Sequence, residues 1–207
     1  AATGAFELGG HVLELNAGTV GAMRSSGMTW VKKQFRYTLG QNPSDVSGLI
    51  NSARANGFKI LLGIVGQPGQ MGNYDDYINQ YAQFVAGVAS LGADAIEVWN
   101  EPNIDREWPA GQVNGATYTR LLAAAYNAIK GANPNVLVIS GAPAPTGFFG
   151  AAGCTAQGCN DDVFMQQMAQ AGAAPYMGSG GLQYNEGIPA PGAQTRPPRG
   201  SDPTYYF

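Results

Sequence analysis

Trp99-Asn100-Glu101-Pro102-Asn103 sets an amide and a carboxyl side by side between an aromatic residue and a proline. A carboxyl group can both give and take a proton near neutral pH when it is held against the reacting bond. The preceding run, Ala95-Ile96-Glu97-Val98-Trp99, is apolar and β-branched enough for a short buried strand. Glu101 therefore stands at the C-terminal exit of that strand. Pro102 has no N–H to give to a sheet and fixes the turn. Glu97 shares strand parity with Glu101 and is expected to point inward and pair with a cation, in a structural role.

The other chemistry-bearing residues are few. His11 is the single histidine, and no Gly-x-Ser-x-Gly elbow accompanies it, which leaves little room for a Ser-His-Asp system. At the end of a strand it could hydrogen-bond a ligand hydroxyl, or sit as a satisfied, partly buried histidine. Cys154 and Cys159, the only cysteines, suit a local disulfide closing a small loop; two free thiols are the alternative. Two cysteines and one histidine cannot complete a zinc shell, so no metal is expected. Gly66-Gln67-Pro68-Gly69 and Gly178-Ser179-Gly180-Gly181 lack the spacing or lysine of a phosphate loop, and no cofactor is implied.

Composition narrows the partners. A formal net charge of −3, with scattered Lys and Arg, offers no basic stripe for a phosphate backbone, and nucleic acid is not an expected partner. No apolar run approaches the ~20 residues that a membrane-spanning helix needs, and no membrane partner is expected. The small residues Ala1-Ala2-Thr3-Gly4 suit the start of a mature secreted chain, although an expression scar would look similar.

The elements that must position these groups follow from periodicity. Short β-branched runs alternate with helical segments, the pattern of βαβ units around a parallel sheet. Candidate strands are Phe6 to Val12, Trp30 to Tyr37, Lys59 to Val65, Ala95 to Trp99, Val136 to Ser140 and, weakly, Gly181 to Asn185. Between them lie helices carrying Val46, Leu49, Ile50 and Ala53 after a Ser44 N-cap, then a helix from about Tyr74 to Leu91. Another carries Tyr118, Leu121, Leu122, Ala125, Tyr126 and Ile129, and a last one starts at Asn160 or Asp161. The 207 residues read as one domain, with a Pro- and Gly-rich loop over 187–207.

Glu97-Val98-Trp99-Asn100-Glu101-Pro102-Asn103 resembles the acid/base signature of clan GH-A glycoside hydrolases, retaining enzymes built on a (β/α)8 TIM barrel. In that clan the Asn-Glu pair follows strand four, as it does in this count. The resemblance implies an α/β fold of which this chain supplies about the first six β/α units. It implies a carbohydrate partner, with Glu101 protonating the glycosidic oxygen and later activating water, and Asn100 bonding the sugar 2-hydroxyl. Trp99 and Trp108 are candidate sugar platforms, against the alternative that each merely covers the barrel mouth. Arg36 ends the second strand, where it is expected to orient carboxylates at the mouth, or else to form a surface ion pair. His11 and Tyr184, the latter with Asn185, take positions that contact sugar in this clan. Trp108 also suits a β-xylosidase/α-iduronidase-like branch, beside a cellulase-like one.

A retaining glycosidase needs two carboxyl groups about 5 to 5.5 Å apart, and only one stands out. In the clan the nucleophile ends strand seven, so it is expected beyond Phe207, on a segment or second polypeptide carrying the remaining strands. Without them, two open parallel edges leave unpaired backbone, and the chain alone is not expected to fold stably. Glu186 and, less so, Asp202 are the in-chain substitutes. A non-catalytic carbohydrate-binding protein derived from such an enzyme is the alternative reading, and a chance Asn-Glu-Pro turn on a barrel of other function is the third.

Overall fold

Helix α3 (Tyr74–Ser90) and helix α4 (Gly115–Ala132) press their apolar stripes against one face of a parallel sheet. The computed structural model describes residues 6–147 and 149–183. Tyr184, Asn185, Glu186, Asp202 and the 187–207 stretch lie outside the described residues. Strands β1 (Gly9–His11), β2 (Trp30–Arg36), β3 (Lys59–Val65), β4 (Ala95–Val98) and β5 (Leu137–Ser140) pair in sequence order, all parallel. Helices α1 (Ala17–Ser25), α2 (Ser47–Ala55) and α5 (Asp161–Gln170) complete the β/α alternation.

The register sorts the side chains. Val31, Ile60, Leu62, Ile64, Ile96, Val98 and Val138 are buried toward the helices. Gln34, Gly63 and Glu97 stand in one row across three strands on the opposite face, and Lys32, two residues back along β2 on that same face, brings its Nζ to Glu97 Oε2 at 2.5 Å. The inward Glu97 with a cation partner is thus found as expected. Two tyrosines tie the helices to the strand ends: Tyr81 donates to Ile64 O at 2.6 Å, and Tyr118 donates to Val98 O at 2.7 Å while accepting from Gly141 N at 2.6 Å. Burial pushes both phenols well above their ordinary range, so each remains a neutral donor.

Several boundaries differ from the expectation for identifiable reasons. Strand β1 is only three residues, and Phe6 and Leu13, at 89% and 92% exposure, find no core to enter. Strand β4 stops at Val98 because Trp99 turns to positive φ. Ser44 does not cap an α-helix; Asn42 caps a 3-10 turn over Pro43–Val46, and α2 begins only at Ser47. Helix α1 has no counterpart in the periodicity because it buries just Val20 and Met23; the Asn16 side chain starts it by accepting from Thr19 N at 3.0 Å. Of the sixth strand expected over Gly181 to Asn185, Tyr184 and Asn185 lie outside the described residues; two residues before Gly181, a parallel bridge joins Ile139 to Ser179, with Gly178 N donating to Val138 O at 2.8 Å.

Beyond the end of β3, Gly66 lies against the floor of the β4 exit. A Cβ there would meet Tyr77 Oη at 1.8 Å and the Trp99 ring at 2.4 Å. Gly66→Ala is expected to destabilise the protein by about 1–3 kcal/mol or more in urea unfolding, as overpacking does. Gly48→Ala, where nothing lies within 4 Å of the added carbon, is the control and should be neutral or stabilising.

Candidate active site

Strand β4 ends in an unusual backbone. Trp99 and Glu101 are the positive-φ residues other than glycine among the described residues, at 76° and 46°. Left-handed backbone costs an L residue roughly 1–2 kcal/mol, so surrounding contacts must hold it. Trp99 N still pairs with Ile64 O at 3.0 Å, its indole Nε1 donates to Glu107 O at 2.8 Å, and Glu101 N donates to Ala142 O at 2.9 Å. Trp99 is bound above and below, and Glu101 is turned out of the sheet between the β4 and β5 exits.

Asn103 fixes the loop that follows. Its side chain is wholly buried, with Nδ2 donating to Ala144 O at 2.9 Å and Cys159 O at 3.1 Å, and Oδ1 accepting from Ala144 N at 2.7 Å. The Cys159 end belongs to a hairpin of β6 (Cys154–Thr155) and β7 (Gly158–Cys159), closed by the Cys154–Cys159 disulfide. The hairpin bonds the loop again at Cys159 N to Asn103 O, Asp105 N to Gln157 O and Gly111 N to Ala156 O, each at 2.8 Å. The expected disulfide therefore exists, and it braces the segment that carries Glu101.

Glu101 is 7% exposed, and its carboxylate Oε2 is contacted by the Arg106 guanidinium. Glu107, 8% exposed, follows: Arg36 Nη1 donates to its Oε2 at 2.7 Å and Nη2 to its Oε1 at 3.4 Å, while Arg106 Nε stands 3.9 Å from Oε1. Arg36 also donates to Gly66 O at 3.0 Å. Two acids and two guanidiniums thus alternate along the mouth. Arg36 does orient a carboxylate, but the carboxylate is Glu107.

The remaining expected residues separate into distinct places. Asn100 is half-buried beside Glu101, and its Oδ1 accepts from Gln183 Nε2 at 2.7 Å. Trp99 and Trp108 are fully buried and pack edge-on to each other at 5.2 Å; Tyr77, Tyr81, Tyr74 and Tyr118 surround them. Neither indole has a free face, so the expectation of a sugar platform is corrected to a floor beneath the loop. His11 lies opposite Lys32 at the end of β1, with β2 and β3 between it and β4 in the sheet. Desolvation first, then the charges of Lys32 and Lys33, push its pKa down against the opposing pull of Glu97, which keeps it neutral at pH 7. Tyr184 falls outside the described residues.

Sequence reasoning passed over Arg106, Glu107 and Gln183. A signal for the first two existed, because Asp105-Arg106-Glu107 is a charged triplet set between the motif and an apolar Trp108. Gln183 gave none.

The same architecture occurs in solved enzymes. The chain superposes on a GH5-4 broad-specificity endoglucanase from Clostridium longisporum with a TM-score of 0.52 at 11% identity, over 64% of this chain and 45% of that one. The described residues carry part of a TIM barrel, the fold of that enzyme. Two further similar structures are the Thermotoga maritima endoglucanase Cel5A (TM-score 0.48, 16% identity, 61% of this chain and 44% of that one) and a GH5-4 endoglucanase from Clostridium cellulovorans (0.48, 14%, 64% and 46%). No protein-family model and no curated protein matches the chain. It spans less than half the length of these structures. Five parallel strands are described, where a complete barrel of this type has eight.

Asn103→Ala would strand Ala144 N and Ala144 O and leave Cys159 O to the Thr146 hydroxyl alone, and a buried unsatisfied group costs about 1–3 kcal/mol. A loss of about 2–4 kcal/mol in denaturant unfolding is expected. Separately, the Cys154→Ser/Cys159→Ser pair should lose about 2 kcal/mol, the loop-closure value for so short a ring, and the Glu101 loop should exchange its amide hydrogens faster.

Proposed function

We propose that the protein is a retaining glycoside hydrolase acting on a β-linked glycan or glycoside, with Glu101 as general acid and then general base. The observation that carries this is the carboxyl of Glu101, buried yet turned out of the sheet at the β4 exit by a left-handed backbone, with the Asn100 amide beside it. Barrel enzymes of this type build their sites from the loops at the C-terminal ends of strands, and the endoglucanase fold of the similar structures supports the same reading.

In this account Glu101 gives its proton to the glycosidic oxygen as the bond to the anomeric carbon breaks. A second carboxylate attacks that carbon and holds a covalent glycosyl-enzyme. Glu101 then takes a proton from water as the water displaces the second carboxylate. The nucleophile is assigned to a Glu on a segment beyond Phe207, carried by the same polypeptide or a second one that completes the barrel. Asn100, its Oδ1 held by Gln183, has no partner on Nδ2 among the described residues, and that group donates to the sugar 2-hydroxyl in this account. The Cys154–Cys159 disulfide supports an extracytoplasmic setting, where such bonds persist.

The test is Glu101→Gln, which keeps the shape and removes the proton. Hydrolysis of aryl glycosides with poor leaving groups should fall by roughly 10²–10⁴-fold, the usual scale of general acid catalysis, with sugar binding retained. Unchanged rates would refute Glu101 as the acid. Sugar binding by a wild-type protein with no hydrolysis of any glycoside would favour a carbohydrate-binding role instead.

A further inference from the structure

We propose that Arg106 is a movable positioning residue that rests on Glu101 and passes to Glu107 when a glycoside enters. This rests on the assignment of Glu101 as the acid/base. In the resting structure the Arg106 guanidinium is in contact with Glu101 Oε2. A general acid must bring its carboxyl oxygen within hydrogen-bond reach of the glycosidic oxygen, and later of a water. A guanidinium fixed on that oxygen competes with both. An arginine that stays on Oε2 leaves only Oε1 for the glycosidic oxygen and the water, and its departure frees the whole carboxyl.

The geometry supplies the means of leaving. The Arg106 side chain is 69% exposed, whereas those of Glu101 and Glu107 are 10% exposed, so the arginine is the mobile member. Among the described residues its charge partners are these two carboxylates. An ion pair whose cation is largely in water is weak and is screened by salt. The second carboxylate is already near: Arg106 Nε lies 3.9 Å from Glu107 Oε1.

Glu107 is built to receive it. Arg36 holds Oε2 closely at 2.7 Å but reaches Oε1 only at 3.4 Å, and an ionised carboxylate has about four lone-pair sites. Oε1 retains accepting capacity on the side facing Arg106. The Glu107 backbone carbonyl is tied to Trp99 Nε1 at 2.8 Å, so the receiver is fixed relative to the strand that bears Glu101. Exchange between two carboxylates keeps the cation at the mouth in both states.

Carboxyl labelling tests this without turnover, so its failure is distinct from a failure of Glu101 as the acid, which the Glu101→Gln hydrolysis assay reads. The intact folded protein is treated with a water-soluble carbodiimide and glycine ethyl ester, and amidation at each residue is followed by mass spectrometry, with exposed Glu14 as reference. Arg106→Gln should raise the Glu101 labelling rate several-fold while Glu107, still held by Arg36, changes little. Glu107→Gln should lower Glu101 labelling, because Arg106 then has a single partner. Simple loosening of the loop would raise it in both variants, which overturns the exchange. No change at Glu101 in Arg106→Gln also overturns it. Should Glu107→Gln fail to fold, wild-type protein suffices: Glu101 labelling relative to Glu14 must rise between low and high salt, and a flat response contradicts the proposal.

Discussion

The buried amide of Asn103 is the contact on which the site depends. It joins the β4 exit loop, the β5 exit loop and the disulfide hairpin through hydrogen bonds that water cannot replace at zero exposure. Two left-handed residues precede it, and such backbone persists only where its surroundings over-determine it. Pinned on one side by Asn103 and on the other by the Trp99 indole on Glu107 O, the chain has no freedom to relax Glu101 back toward the sheet. The aromatic floor of Trp99, Trp108 and the surrounding tyrosines makes that platform rigid.

On that platform the charges are arranged in two separate systems. Lys32 and Glu97 neutralise each other on the sheet face turned away from α3 and α4, with His11 nearby and neutral. At the mouth, Arg36, Glu107, Arg106 and Glu101 alternate in sign, and exposure rises from the buried acids to the open arginine. Under the proposed function, a stationary pair below and a yielding one above suit a site that admits a neutral sugar while its acid stays in place.

The sequence made the architecture legible where side chains repeat: β2, β3 and α3 begin where periodicity puts them, because their apolar stripes face a continuous core. The place of Glu101 at the β4 exit was visible because an apolar run precedes it and a proline follows it, and the disulfide because the two cysteines stand close together, whereas the roles proposed for Glu101 and Asn100 come from the resemblance of their motif. Other features depend on tertiary partners that no local pattern encodes. Helix α1 buries two residues and leaves almost no stripe. The Trp residues read as ligand platforms because an indole's surface habit and its core habit look identical in sequence; only the ring of tyrosines, drawn from two helices, decides for the core. Gln183 meets Asn100 across 83 residues, a contact that the fold creates.

Azide rescue of Glu101→Ala in the full-length protein tests the central claim most directly. With a dinitrophenyl β-glycoside, whose leaving group needs no acid, the glycosyl-enzyme forms but water is no longer activated, and azide takes its place. The account predicts restored turnover and a β-glycosyl azide as product, identified by NMR. An α-glycosyl azide would make Glu101 the nucleophile, and wild-type rates without azide would leave it no part in the chemistry.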